Sequence, residues 1–84
     1  MSSKTALIIG ISGQDGAYLA RSLLQKGYTV TGTSRDVSAS SFSNLERLGI
    51  RKDVQLKSMS LNDFRSVLQV LKNSRPDEVY NLSG

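Results

Sequence analysis

Seven residues constrain this chain more than any others: Gly10-Ile11-Ser12-Gly13-Gln14-Asp15-Gly16, a G-x-x-G-x-x-G spacing that follows the apolar run Ala6-Leu7-Ile8-Ile9. Three glycines at this spacing meet three separate demands. One allows a tight turn off a strand, one lets backbone approach a pyrophosphate, and one lets a helix pack closely on a strand. The helix start then offers free N–H groups and the positive end of its dipole to phosphate oxygens. Glycines also mark ordinary turns, so context decides. Here a strand pattern precedes the motif, a helix pattern follows it, and a second strand ends about 20 residues on. A Walker-type loop is excluded, because no Gly-Lys-Ser/Thr follows.

Periodicity extends the reading along the chain. Thr5–Gly10 reads as a buried strand. Asp15–Lys26 reads as a helix, with Ala17, Ala20, Leu23 and Leu24 on one face and Gly27 as its stop. Thr29–Ser34 is rich in β-branched residues and reads as a second strand. Arg35–Ser43 reads as a Ser-rich loop, with Ser43 capping a short helix Asn44–Leu48 closed by Gly49. Val54–Ser58 is a third strand. Asn62–Ser74 is an amphipathic helix whose apolar face is Phe64, Val67, Leu68 and Leu71. Pro76 bars its continuation, and Glu78–Leu82 is a fourth, buried strand.

The order β-α-β-α-β-α-β predicts an α/β fold with a parallel sheet and helical crossovers, the N-terminal half of a doubly wound, Rossmann-type architecture. No internal repeat or second domain is visible. In a sheet ordered 3-2-1-4-5-6, ending just after the fourth strand is barely past halfway. The chain therefore reads as a single incomplete dinucleotide-binding domain over residues 1–84.

Composition narrows the function. Cysteine and histidine are both absent, which excludes disulfides, thiol nucleophiles, imidazole bases and Cys/His metal sites. The seven acidic residues show no metal-ligating spacing. Apolar runs reach four or five residues, far short of the roughly 20 that span a bilayer, and no secretory signal is visible. A cytoplasmic protein without a membrane partner is expected. The net charge of +4 raises the question of nucleic acid, but the eleven basic residues are scattered and not interleaved with aromatics. A solvated basic surface is the simpler reading.

Cofactor choice turns on the end of the second strand. Arg35 lies 19 positions after Gly16, where an arginine suits the 2′-phosphate of NADP and an acidic residue the ribose of NAD. Asp36 follows directly. Arg35 is first off the strand, so NADP is expected, with NAD as the alternative through Asp36.

The run from Ala6 through Gly16 to Ala17-Tyr18-Leu19, with Leu23-Leu24-Gln25-Lys26-Gly27-Tyr28 and Tyr80-Asn81-Leu82, closely resembles the GDP-mannose 4,6-dehydratases, a family of extended short-chain dehydrogenases/reductases. The resemblance is strongest at 5–35 and looser at 36–75. It implies a tightly held NADP, GDP-mannose as substrate, and GDP-4-keto-6-deoxymannose as product. The hydride would leave C4, water would be lost across C5 and C6, and the hydride would return at C6. It also implies a homo-oligomer whose loop after strand two reaches a neighbouring subunit's cofactor. By position, Gly10, Ile11, Ser12, Gly13, Gln14 and Asp15 would line the pyrophosphate. Arg35 would hold the 2′-phosphate and Leu61 would sit near the adenine. Leu82, Ser83 and Gly84 would form the strand-four side of the site.

Three positions depart from the family pattern. Asp36 stands where a second arginine is usual, Ser60-Leu61 where an Asp-Leu pair is usual, and Ser83-Gly84 where Gly-Ala is usual; Asp63 is a candidate to replace the missing carboxylate. The family's chemistry uses a Tyr-x-x-x-Lys pair. Tyr18, Tyr28 and Tyr80 are followed four residues on by Ser22, Gly32 and Gly84, so no catalytic residue is expected in this chain. Related nucleotide-sugar epimerases or reductases, and a non-catalytic dinucleotide-binding module, are the alternatives.

Overall fold

A computed structural model describes residues 4–38 and 41–83. Four parallel strands, β1 (Thr5–Ile9), β2 (Thr29–Ser34), β3 (Val54–Ser58) and β4 (Glu78–Asn81), form one sheet in the order β3-β2-β1-β4. The helices are α1 (Gln14–Gln25), α2 (Ser43–Arg47) and α3 (Phe64–Ser74). This is the expected α/β architecture. The order of the strands reverses at β1, which lies between β2 and β4, so the crevice beyond its carboxyl end is where such sheets take ligands.

Alternation along β1 divides the core in two. Ala6 and Ile8 face α1 and pack with Ala17, Ala20, Leu23, Val30, Phe42 and Leu45. Leu7 faces the opposite side and packs with Met59 and Val70. With both faces covered, β1 is apolar from Ala6 to Ile9, as suits a central parallel strand.

The end of α1 is built as its sequence predicts. Gly27 lies at φ +87, its N–H bonds to the Leu24 carbonyl, and the Tyr28 N–H reaches back to Leu23 at 3.0 Å. Those two bonds satisfy carbonyls that the helix leaves open. Gly49 closes α2 in the same way, with Ile50 N–H on the Leu45 carbonyl.

Several expectations shift. α1 starts at Gln14, and α2 spans Ser43–Arg47 with Phe42 in the capping position, so Ser43 is helical and provides no cap. α3 starts at Phe64, because Asp63 caps it by accepting the Arg65 N–H at 3.1 Å. A short 3₁₀ turn, Arg51–Asp53, leads into β3. The apolar face of α3 is rotated from the one read in the sequence. Val70 is buried and Val67 packs beside it, while Phe64 is 75% exposed and Leu68 and Leu71 are also exposed. The stripe that meets β1 is the narrower valine one. β4 ends at Asn81 and is only partly covered, with Val79 half exposed. Of the Ser-rich loop, Ala39 and Ser40 lie outside the described residues.

A polar cluster closes the amino end of the sheet. Glu78 accepts from the Tyr28 hydroxyl at 2.9 Å and the Tyr80 hydroxyl at 2.6 Å, with Lys4 Nζ 3.8 Å away. The hydrogen bond from Tyr80, then that from Tyr28, holds the Glu78 carboxyl below its ordinary value, against partial desolvation. The same bonds to Glu78 push both tyrosine hydroxyls up. A carboxyl depressed in the folded state adds stability above its unfolded value of 4.5, and loses it as pH falls through the folded value. Tyrosines raised in the folded state add stability below 10.0 and lose it as pH climbs through their folded values. Glu78→Gln should therefore flatten the acid limb of stability. Between about pH 6 and pH 3.5 the urea midpoint of the wild type should fall further than that of the variant. Parallel falls would remove Glu78 from the acid response.

Candidate functional site

The turn out of β1 is fixed by backbone. Gly10 lies at φ +86, a conformation that side chains rarely adopt, and a Cβ there would come within 3.0 Å of the Ser83 nitrogen. The Gly10 and Ile11 N–H groups both donate to the Thr33 carbonyl at 3.0 Å. The first glycine thus lets the loop pass between the ends of β2 and β4.

The other two glycines of the motif do opposite things. A Cβ on Gly16 would lie 2.8 Å from Ile11 Cα and 2.9 Å from its carbonyl oxygen, so α1 rests directly on the loop backbone. A Cβ on Gly13 would meet nothing within 4 Å. Gly13 is the N-cap of α1, and no side chain caps the helix there. The first intrahelical bond runs from Ala17 N–H to the Gly13 carbonyl, so the preceding N–H groups have no acceptor within the helix.

Ile11 differs from its neighbours in the motif. Its side chain is fully buried, and Gly32 in β2 leaves room for it. With its N–H given to Thr33, Ile11 serves packing and contributes no surface to a ligand. Ser12, Gly13, Gln14 and Asp15 are exposed, and Gly16 is buried. Asp15 lies in the first turn of α1, where its charge suits the helix dipole.

A cleft of about 220 Å³ opens beyond the carboxyl ends of the strands. Gly10, Arg35, Leu61 and Ser83, from four separate parts of the sequence, line it together. Sequence reasoning missed the remaining lining: Ile9, Thr33, Ser34, Met59, Ser60 and Asn62. The rule that ligands sit past the carboxyl ends of parallel strands was the available signal. Leu82 is exposed but does not line the cleft, and Gly84 lies outside the described residues.

The two candidates for cofactor choice are placed differently. Arg35 lines the cleft. Asp36 does not, and its Oδ1 accepts from the Ser38 N–H at 3.1 Å and the Ser38 hydroxyl at 2.7 Å, turning its own loop. Asp63 is likewise committed elsewhere, as the cap of α3, and is absent from the cleft wall. On the β4 side, Asn81 Oδ1 accepts from the Ser83 N–H and hydroxyl at 3.1 and 2.7 Å. That turn brings Ser83 against Gly10. Asn81-Leu82-Ser83 carries the signal of a side-chain turn.

None of the three tyrosines faces the cleft. Tyr28 and Tyr80 bond Glu78 at the amino end of the sheet, and Tyr18 lies exposed on α1 with the Arg21 guanidinium 5.2 Å from its ring. Among the described residues no group of three His, Cys, Asp or Glu side chains could hold a metal, and no helix is long and apolar enough to cross a membrane.

A sequence profile of the family described as GDP-mannose 4,6 dehydratase matches residues 7–84. A GDP-mannose 4,6-dehydratase of Vibrio cholerae serotype O1 is 42% identical over 87 residues, covering 98% of this chain and 23% of the relative. One from Cricetulus griseus is 39% identical over 85 residues, covering 94% and 23%. The chain spans about a quarter of the length of these curated relatives. Among solved structures, the Bordetella bronchiseptica enzyme WbmH in complex with NAD+ superposes with a TM-score of 0.75 at 26% identity, over 95% of this chain and 26% of that one. A dTDP-glucose 4,6-dehydratase from Bacillus anthracis, in complex with NAD, gives 0.76 at 13% identity over 95% and 26%, a likeness of fold.

Proposed function

The chain belongs to the GDP-mannose 4,6-dehydratase family, and we propose that it supplies the NADP-binding part of an enzyme that converts GDP-mannose to GDP-4-keto-6-deoxymannose. One observation carries this reading: Gly10, Arg35, Leu61 and Ser83 meet in a single cleft at the switch point of the sheet. The site fits a dinucleotide. Open space lies over Gly13, uncapped N–H groups start α1, and a guanidinium lines the cleft at the end of β2.

The roles follow from chemistry. The N–H groups at the start of α1 hold the pyrophosphate with the dipole's positive end. Arg35 offers a planar, permanently charged donor set to the 2′-phosphate. Leu61 gives the adenine an apolar wall, and Ser83 closes the side facing β4. When bound, the nicotinamide supplies a transient hydride acceptor. None of the three tyrosines lines the cleft, and no role in moving the accompanying protons is assigned to them. The same reading makes the protein a cytoplasmic homo-oligomer that uses a nucleotide sugar, with neither membrane nor nucleic acid as partner.

Arg35 separates NADP from NAD. Asp36 is engaged with Ser38, which favours the 2′-phosphate as the group recognised here. Arg35→Ala should weaken NADP about 10-fold, roughly 1.4 kcal/mol, and leave NAD nearly unchanged, as measured by calorimetric titration. Equal losses for both would refute the role of Arg35. A wild type that prefers NAD would give the ribose to Asp36.

A further inference from the structure

A side chain of α2 bonds to the glycine loop. Asn44, in α2, donates from Nδ2 to the Ser12 carbonyl at 3.2 Å, across 32 residues of sequence. α2 is a firm base for that contact. Leu45 is fully buried, and Phe42 is 1% exposed despite a left-handed φ of 51. Packing holds a residue there that would otherwise avoid the conformation. The Arg51 guanidinium lies 5.4 Å from the Phe42 ring, and Arg51 also pairs with Glu46 at 2.6 Å.

The consequence follows from peptide geometry. In a trans peptide the carbonyl and the next N–H point in opposite directions, and no described peptide is cis. Holding the Ser12 oxygen toward α2 therefore turns the Gly13 N–H away from it. No group among the described residues accepts that N–H. Were the same peptide reversed, a carbonyl lone pair would replace the donor and repel an anion. Glycine at 13 has no side chain to resist such a reversal, so the restraint has to come from elsewhere.

We propose that Asn44 is a positioning residue that fixes the Ser12–Gly13 peptide so that its N–H, and not its carbonyl, meets a pyrophosphate. The inference rests on the dinucleotide reading of the site. It couples the segment after β2 to the phosphate loop, so that one stretch of chain serves both the cofactor's 2′ end, through Arg35, and its pyrophosphate, through Asn44.

The test uses the 84-residue chain and two probes, ADP and adenosine 2′-phosphate, which lacks a pyrophosphate. Asn44→Ala should weaken ADP by about 5-fold, in line with one neutral hydrogen bond, and leave adenosine 2′-phosphate unchanged. Asn44→Gln, which keeps the amide donor, should recover part of the loss. In the free protein, the Gly13 amide resonance should move in Asn44→Ala while the amides of β1 stay in place. Equal loss of both probes, or an unmoved Gly13 amide, would overturn the proposal. A wild type that binds neither probe while its Gly13 amide still responds to Asn44→Ala would overturn the dinucleotide reading and leave the strut without its ligand.

Discussion

Gly16→Ala is expected to destabilise the fold by about 2 kcal/mol or more, the larger of two opposed effects. Helix propensity alone argues the other way, since alanine in a helix is favoured over glycine by roughly 1 kcal/mol. Space decides the sign. The new Cβ would lie 2.8 Å from Ile11 Cα and 2.9 Å from the Ile11 carbonyl, and both belong to backbone. Nor can Ile11 yield. Its N–H is held by Thr33, its side chain is fully buried, and its Cγ2 lies only 2.8 Å from where a Cβ on Gly32 would stand. A chain of this size commands only about 4–13 kcal/mol in total, so the loss should lower Tm by roughly 8 °C or more. Thermal denaturation followed by circular dichroism measures it. A Tm equal to or above that of the wild type would mean that α1 lifts off the loop at little cost, and that the third glycine is not a packing requirement.

The architecture was legible because its signals are local. The run from Ala6 to Ile9, the spacing of Ala17, Ala20 and Leu23, and the glycines after α1 and α2 each need only their neighbours to be interpreted. Four of the residues singled out in the sequence, Gly10, Arg35, Leu61 and Ser83, line one cleft beyond the carboxyl ends of the strands. What escaped depends on long-range packing. Phe42 sits in a stretch of serines, yet it is buried in a left-handed conformation within the core cluster that also holds Ala6, Ile8, Ala17 and Leu45. Gly32 reads as a weak point in a strand until Ile11 is seen to need its missing side chain. Phe64, Leu68 and Leu71 have helical spacing, but geometry gave the contact to Val67 and Val70. Asp63 and Asn81 are polar residues whose side chains accept local hydrogen bonds, from the Arg65 N–H and from Ser83.

The second large effect separates binding from folding. Gly13→Val should fold and lose dinucleotide affinity by about 100-fold or more, close to 2.8 kcal/mol. The backbone tolerates the change, because Gly13 already lies at φ −78 and ψ 173, an extended conformation open to valine. Nothing lies within 4 Å of the new Cβ, so no protein atom has to move. The expected cost in stability is that of a poorer N-cap, about 1 kcal/mol or less. The ligand is what the side chain meets. A pyrophosphate oxygen bonded to the N–H groups at the start of α1 must approach to about 2.9 Å, and two valine methyls beside Gly13 would hold it off. Titration with NADP and with inorganic pyrophosphate, set beside a thermal melt, distinguishes the outcomes. A folded variant that binds neither is the expected result, with Gly13→Ala intermediate. Unchanged affinity for both ligands would show that the open space over Gly13 is not where phosphate sits, and the glycine loop would then be a turn and nothing more.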